Sequence, residues 1–83
     1  MSIDPLLDES GLVLRWPKKP SQKQIVLEHL STKFDLNKNY TEKQVNIILE
    51  QNHSFNDTPL LRRELIGRGF LSRKDDGSRY WKN

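Results

Sequence analysis

The chain has 83 residues, a third of them hydrophobic and 30% charged, with a formal net charge of +3 and no cysteine. That length fits one domain. Without cysteine there is no disulfide framework, no thiol nucleophile and no thiolate zinc site. No apolar run approaches the roughly 18 residues of a spanning helix, and the acidic start Met1-Ser2-Ile3-Asp4-Pro5 lacks the form of a signal peptide, so a cytoplasmic protein without a membrane partner is expected.

Charge is distributed in blocks. Residues 1–14 carry −3, residues 15–23 carry +4, residues 24–61 carry −2 and residues 62–83 carry +4. Two basic blocks around a near-neutral middle suit an anionic partner such as nucleic acid, although an ordinary solvated surface gives the same pattern.

In chain order, residues 1–11 read as a loose acidic tail, with only Ile3, Leu6 and Leu7 as anchors. A single domain then covers 12–83. Leu12-Val13-Leu14-Arg15-Trp16 is a short extended run closed by Pro17, and Lys18-Lys19-Pro20 links it to a first helix. Ser21 and Gln24 have capping-box spacing, and Val26, Leu27, Leu30 and Phe34 follow as one stripe, so this helix is expected over about 21–35. A second capping box, Thr41 with Gln44, opens a helix over about 41–53. Tyr40 and Val45 stand at staple positions, Val45, Ile48 and Leu49 form the buried stripe, and Ile47 points elsewhere. A third helix over about 57–68 has Pro59 in its first turn, Leu61, Leu65 and Ile66 as its apolar face, and Gly67 and Gly69 at its end. Two runs, about 70–74 and 78–82, flank Asp75-Asp76-Gly77 as a hairpin. A short strand, three helices and a hairpin make an α+β chain in the order of a winged helix-turn-helix, whose third helix faces the DNA groove and whose hairpin is the wing.

The residues that carry this order also form a recognisable set: Trp16-Pro17-Lys18-Lys19, Tyr40-Thr41-Glu42 with Val45-Asn46 and Ile48-Leu49, His53, Asp57, Leu61-Arg62-Arg63-Glu64-Leu65-Ile66, Leu71, Arg73, Gly77 and Tyr80-Trp81. Over residues 15–82 the chain resembles a prokaryotic family of domains of unknown function, whose members occur alone or attached to helix-turn-helix transcriptional regulators. The resemblance implies a winged-helix-like fold and a link to gene regulation. It assigns no chemistry.

Candidate binding residues follow from helix phase and strand pairing. At about 100° per residue, Arg62 falls at the edge of the buried face and Arg63 on the solvent face. Arg62 is expected to be structural, paired with Glu42 or Asn46 of the preceding helix. Arg63 is the groove candidate, its alternative being an exposed charge paired with a neighbour. Lys74 and Arg79 oppose each other across the wing if Asp76-Gly77 is a two-residue turn, and with Lys18, Lys19 and Lys23 they would contact phosphates. Asp75 and Asp76 oppose that reading unless they serve as turn formers. Trp16 and Trp81 are either stacking platforms for single strands or packing at the edge of the hairpin.

His29 and His53 sit on different helices without metal-ligand spacing, and no phosphate loop or nucleophile–base pair is visible. No metal, cofactor or enzymatic activity is expected. The functional expectation is a small regulator that binds double-stranded DNA as a monomer or weak dimer. The alternatives are a protein-interaction module of the gene-expression machinery, with a protein of the transcription machinery among its candidate partners, that uses a winged-helix fold without binding DNA, supported by apolar Ile47 and Leu60 and the acidic hairpin tip, and an RNA binder.

Overall fold

The computed structural model describes residues 3–83, an α+β chain with three helices and one small antiparallel sheet. A 3₁₀ turn, Asp4–Leu6, precedes α1 (Pro20–Ser31), β1 (Asn39–Tyr40), α2 (Glu42–Glu50), α3 (Thr58–Gly67), β2 (Leu71–Arg73) and β3 (Tyr80–Lys82). β3 lies in the middle of the sheet, antiparallel to both neighbours, with Tyr40 opposite Tyr80 and Ser72 opposite Trp81. The core joins the predicted stripes of all three helices to this sheet: Val26, Leu27, Leu30, Val45, Leu49, Leu61 and Leu65 are fully buried. Phe34 and Tyr40 complete it on one side, ring edge to ring face at 5.2 Å between centroids.

Each helix is shorter than its apolar stripe suggests. α1 starts at Pro20, not at a Ser21 cap. Proline lacks the N–H that a first turn leaves unpaired, and its fixed φ suits that position, so Lys19 becomes the N-cap without a side-chain bond. The same helix stops before 35 because Ser31 and Thr32 turn their hydroxyls onto the carbonyls of Glu28 and His29, at 2.7 and 2.6 Å. Phe34 therefore packs from a turn and not from the helix.

α2 opens on the expected capping box, Gln44 N donating to Thr41 Oγ1 at 3.1 Å and Thr41 N to Gln44 Oε1 at 2.9 Å. It ends at Glu50 rather than 53. Asp57 caps α3, which closes in a Schellman arrangement: Phe70 N donates to Leu65 O and Gly69 N to Ile66 O, with Gly69 at φ +82°.

Three expectations fail. Leu12–Trp16 is not a strand, since only Val13 makes isolated bridges, to Leu7 and to His53. The third strand is instead Asn39–Tyr40, two residues whose pairing is set by the long-range meeting with β3 and not by local pattern. The hairpin turn is also longer than the two residues, Asp76-Gly77, on which the expected opposition of Lys74 and Arg79 is conditional. Lys74 N bonds Arg79 O across a four-residue loop, 75–78, with Gly77 N returning to Lys74 O and Gly77 at φ +74°.

The third failure is the loose tail. Met1 and Ser2 lie outside the described residues, but residues 3–11 are folded onto the body. Leu6 is 3% exposed within the core. Asp8 is a turn former: its Oδ1 accepts from Ser10 N at 2.8 Å and Leu12 N at 2.9 Å, which folds the acidic segment back so that Leu14 N reaches Leu6 O. The returning chain docks on the α2–α3 loop, Val13 N donating to Asn52 O and Ser54 N to Val13 O.

That loop is held from inside by His53. The ring is buried and donates from Nδ1 to Leu49 O at 2.6 Å while Nε2 accepts from Asp57 N at 3.0 Å, so a neutral imidazole joins the end of α2 to the start of α3. Leu6→Ala is expected to cost about 2–4 kcal/mol in a urea titration, as truncation of a buried leucine usually does. A loss below about 0.5 kcal/mol, the size of a surface change, would return residues 3–11 to the status of a tail.

Candidate nucleic-acid interface

The start of α3 is fixed by its Asp57 cap, and its phase then separates the two adjacent arginines. Arg62 is partly buried. Its Nη1 donates to Asn46 Oδ1, and its Nε stands 3.9 Å from Glu42 Oε1, so the helix it touches is the preceding one. Arg63 is exposed and makes no ion pair among the described residues. Farther along, Arg68 is paired with Glu64 at 3.1 Å. The outer face of α3 is therefore mixed, with Arg63 as its one free cation among the described residues.

Between α3 and the hairpin lies an open cleft of about 430 Å³, lined by Glu42, Arg62, Arg63, Ile66, Arg73 and Tyr80 with Gly67 at its edge. Three guanidinium groups meet a single carboxylate here. That carboxylate is already engaged, because Tyr80 Oη donates to Glu42 Oε1 at 2.9 Å. Burial, the bond to Glu42 and the charge of Glu42 raise the Tyr80 phenol above its ordinary 10.0, only partly offset by Arg62 and Arg73. The loop tip folds back over the same group: a Cβ at Gly77 would stand 3.2 Å from Arg73 Nη1 and 3.9 Å from Glu42 Oε1. Arg73 is the functional candidate that reading along the chain missed. The signal was present in strand alternation, because residues 71, 73, 80 and 82 share one face of the hairpin.

The same alternation places Lys74 and Arg79 elsewhere. With Ser72 and Trp81 they belong to the opposite face, and the Arg79 guanidinium lies 5.4 Å from the centre of the Trp81 ring. Lys74 and Arg79 are opposed as expected, but neither lines the cleft that holds Arg63. Asp75 is exposed, and Asp76 is a turn former. Its Oδ1 accepts from Ser78 N at 2.9 Å, and this bond, the Ser78 hydroxyl and nearby Arg73 hold its carboxyl below the usual range.

The basic linker forms a third locality. Lys18 and Lys19 are exposed beside Arg15, Trp16 and Gln22, while Lys23 Nζ lies 5.7 Å over the Trp16 ring. Trp16 packs against the core, and none of the linker cations lines the α3–hairpin cleft. Among the described residues no group of three His, Asp or Glu side chains is placed to hold a metal ion, and no helix is long and apolar enough to cross a membrane.

Residues 13–82 match the model of a family described as an uncharacterized protein conserved in bacteria (DUF2087). The chain belongs to this family. No curated protein and no solved structure matches it. Membership fixes a conserved bacterial domain of unknown function, and any role for the cleft has to come from its own chemistry.

Two measurements check this geometry. Arg62→Ala should cost about 1–3 kcal/mol in denaturant unfolding, because Asn46 and Glu42 lose their partner, whereas Arg63→Ala should stay within about 0.5 kcal/mol. Equal losses would mean that the α3 phase is wrong. The alkaline limb of stability should also carry a Tyr80 contribution. A phenol raised in the folded state contributes fully below the unfolded value of 10.0 and is lost as pH rises through the folded value. Tyr80→Phe should therefore flatten the fall in melting temperature above about pH 10 and leave the neutral range without that slope.

Proposed function

We propose that the domain is a small winged-helix protein that binds double-stranded DNA, with α3 at the major groove and the hairpin as the wing. Support for the fold assignment is the element order α1-β1-α2-α3-β2-β3 with β3 central in the sheet, which joins a helix-turn-helix to a hairpin that packs back on its last helix. A transcriptional regulator is the role this implies.

The observation that carries the reading is the convergence of Arg62, Arg63 and Arg73 on a cleft whose one carboxylate is shared by Arg62 and Tyr80. An exposed cleft with uncompensated positive charge favours a polyanion, and guanidinium forks suit both phosphate oxygens and guanine edges. In this assignment Arg63 reads or flanks bases and Arg73 holds a phosphate beside the wing. Arg62 stays a positioning residue. Lys74, at the wing tip, and Lys18 and Lys19, on the linker, reach flanking phosphates at most.

A protein-interaction module of the gene-expression machinery that does not bind DNA is the second reading. It is favoured by Ile47, 43% exposed beside Tyr40, Ile48 and Gln44, and by the acidic tip Asp75-Asp76. Leu60 does not support it, being half-buried against the core.

Salt dependence separates the readings. Each neutralised phosphate lowers the slope of log affinity against log salt by about 0.9, so a domain this small should show a slope of about −3 to −5 on duplex DNA. Arg63→Ala with Arg73→Ala should flatten it by up to about two units, and Lys74→Ala with Arg79→Ala by less. Fluorescence anisotropy with random and genomic duplexes measures both. Undetectable duplex binding at low salt would dismiss the DNA reading in favour of a protein partner.

A further inference from the structure

The outer face of the sheet has a composition unlike the cleft. Trp81 lies on the central strand with Asn39 and Ser72 as its register partners on either side. Next to it, Asn37, Lys38, Asn39, Arg79 and Lys82 enclose a groove of about 400 Å³ with the indole in its wall. Two amides and the cations Lys38 and Arg79 line this groove with Lys82, whose ammonium is turned to Phe34 O at 3.4 Å, and no carboxylate does. Lys38 and Arg79 are exposed, and both are parked on aromatic faces, Lys38 Nζ at 5.2 Å from the Tyr40 ring centre and Arg79 Cζ at 5.4 Å from that of Trp81. Asn37 holds the rim in a left-handed turn at φ +62°, a conformation asparagine tolerates better than most residues.

We propose that this face is a second nucleic-acid site, one for a single strand, on the side of the hairpin away from the α3 cleft. The indole supplies a surface on which an unpaired base can stack, Asn37 and Asn39 present amides to a base edge, and Lys38 and Arg79 neutralise the adjoining phosphates. A duplex fits this arrangement poorly, since its bases are already stacked on one another. The energies favour the exchange, because a base stacked on an aromatic side chain is held more strongly than an exposed cation over the same ring. Arg79 can therefore leave the ring for a phosphate, or stay and lengthen the stack, without net loss. An acidic protein segment would satisfy the cations but would leave the indole and the amides without a matching group.

The test uses short oligodeoxythymidine and oligouridine, a duplex and polyglutamate as probes. The chain has two tryptophans, so Trp16→Phe leaves Trp81 as the only indole emitter. In that variant both single strands should quench emission, and in the parent chain Trp81→Leu should weaken single-strand binding by about 5- to 100-fold. Lys38→Gln with Arg79→Gln, both at exposed positions and so independent of any folding defect at Trp81, should weaken binding and flatten the salt slope by about 1.4 units, at about 0.7 per phosphate of a single strand. Arg63→Ala should leave single-strand affinity unchanged, which keeps this test separate from that of the duplex site. The proposal is overturned if the single strands bind without quenching, if the double glutamine variant binds as tightly as the parent, or if polyglutamate binds and quenches equally well.

Discussion

The carboxylate of Glu42 is the contact on which the arrangement of the hairpin depends. It stands in the first turn of α2, accepts the hydroxyl of Tyr80 from β3 and faces Arg62 from α3. Tyr80 makes this contact obligatory. Its ring is 2% exposed, and a phenol at the end of a buried ring must find a partner or bear the cost of desolvation. One acceptor therefore ties three elements together and sets how far the hairpin stands from α3. Half of the Glu42 side chain remains exposed, so its ion pair with Arg62 contributes little by Coulomb attraction alone. Its weight lies in geometry, because it holds the cleft open with Arg63 and Arg73 on either side.

The turn between α2 and α3 is fixed separately, and by residues with little local signature. Leu6 and Val13 arrive from the N-terminal segment, and His53 closes the loop from within. Helix phase, the Thr41 box, the Asp57 cap and the Gly69 stop were legible because each is a contact within a few residues. The folded N-terminal segment and β1 were not. Leu6 sits in a stretch with no period, and two residues of strand carry no pattern of their own, so both are decided by partners some forty residues away, Asn52 with Ser54 for one and Tyr80 with Trp81 for the other. Pro20 shows the limit at short range. A serine cap and a proline first turn compete at adjacent positions, and the proline fits the helix start with no bond to form.

The candidate site was legible residue by residue but not as an assembly. Arg62, Glu42 and Asn46 were read as a group from helix phase, and the structure brings them together. The hairpin cations Lys74 and Arg79 were grouped by their opposition across the turn, which the structure keeps, but opposition does not say which face of the hairpin a pair shares with α3. Lys74 follows Arg73 directly and for that reason points to the other face. A count of positive charge over residues 62–83 cannot distinguish one basic surface from two.

The two faces of β3 give the two surfaces different chemistry. Tyr80 points inward and is consumed by the fold, leaving the cleft with guanidinium groups and no free aromatic face. Trp81 points outward, where the sheet offers an indole and amides but no helix to enter a groove. Guanidinium forks at a helix suit phosphates and base edges of a stacked duplex, whereas an indole beside cations suits bases that are already unstacked. The period-two backbone of one three-residue strand thus separates two chemistries by the thickness of a sheet. Because the pairing of Tyr40 with Tyr80 sets the register of that strand, any shift by one residue would exchange the buried phenol for the indole and dismantle both surfaces at once.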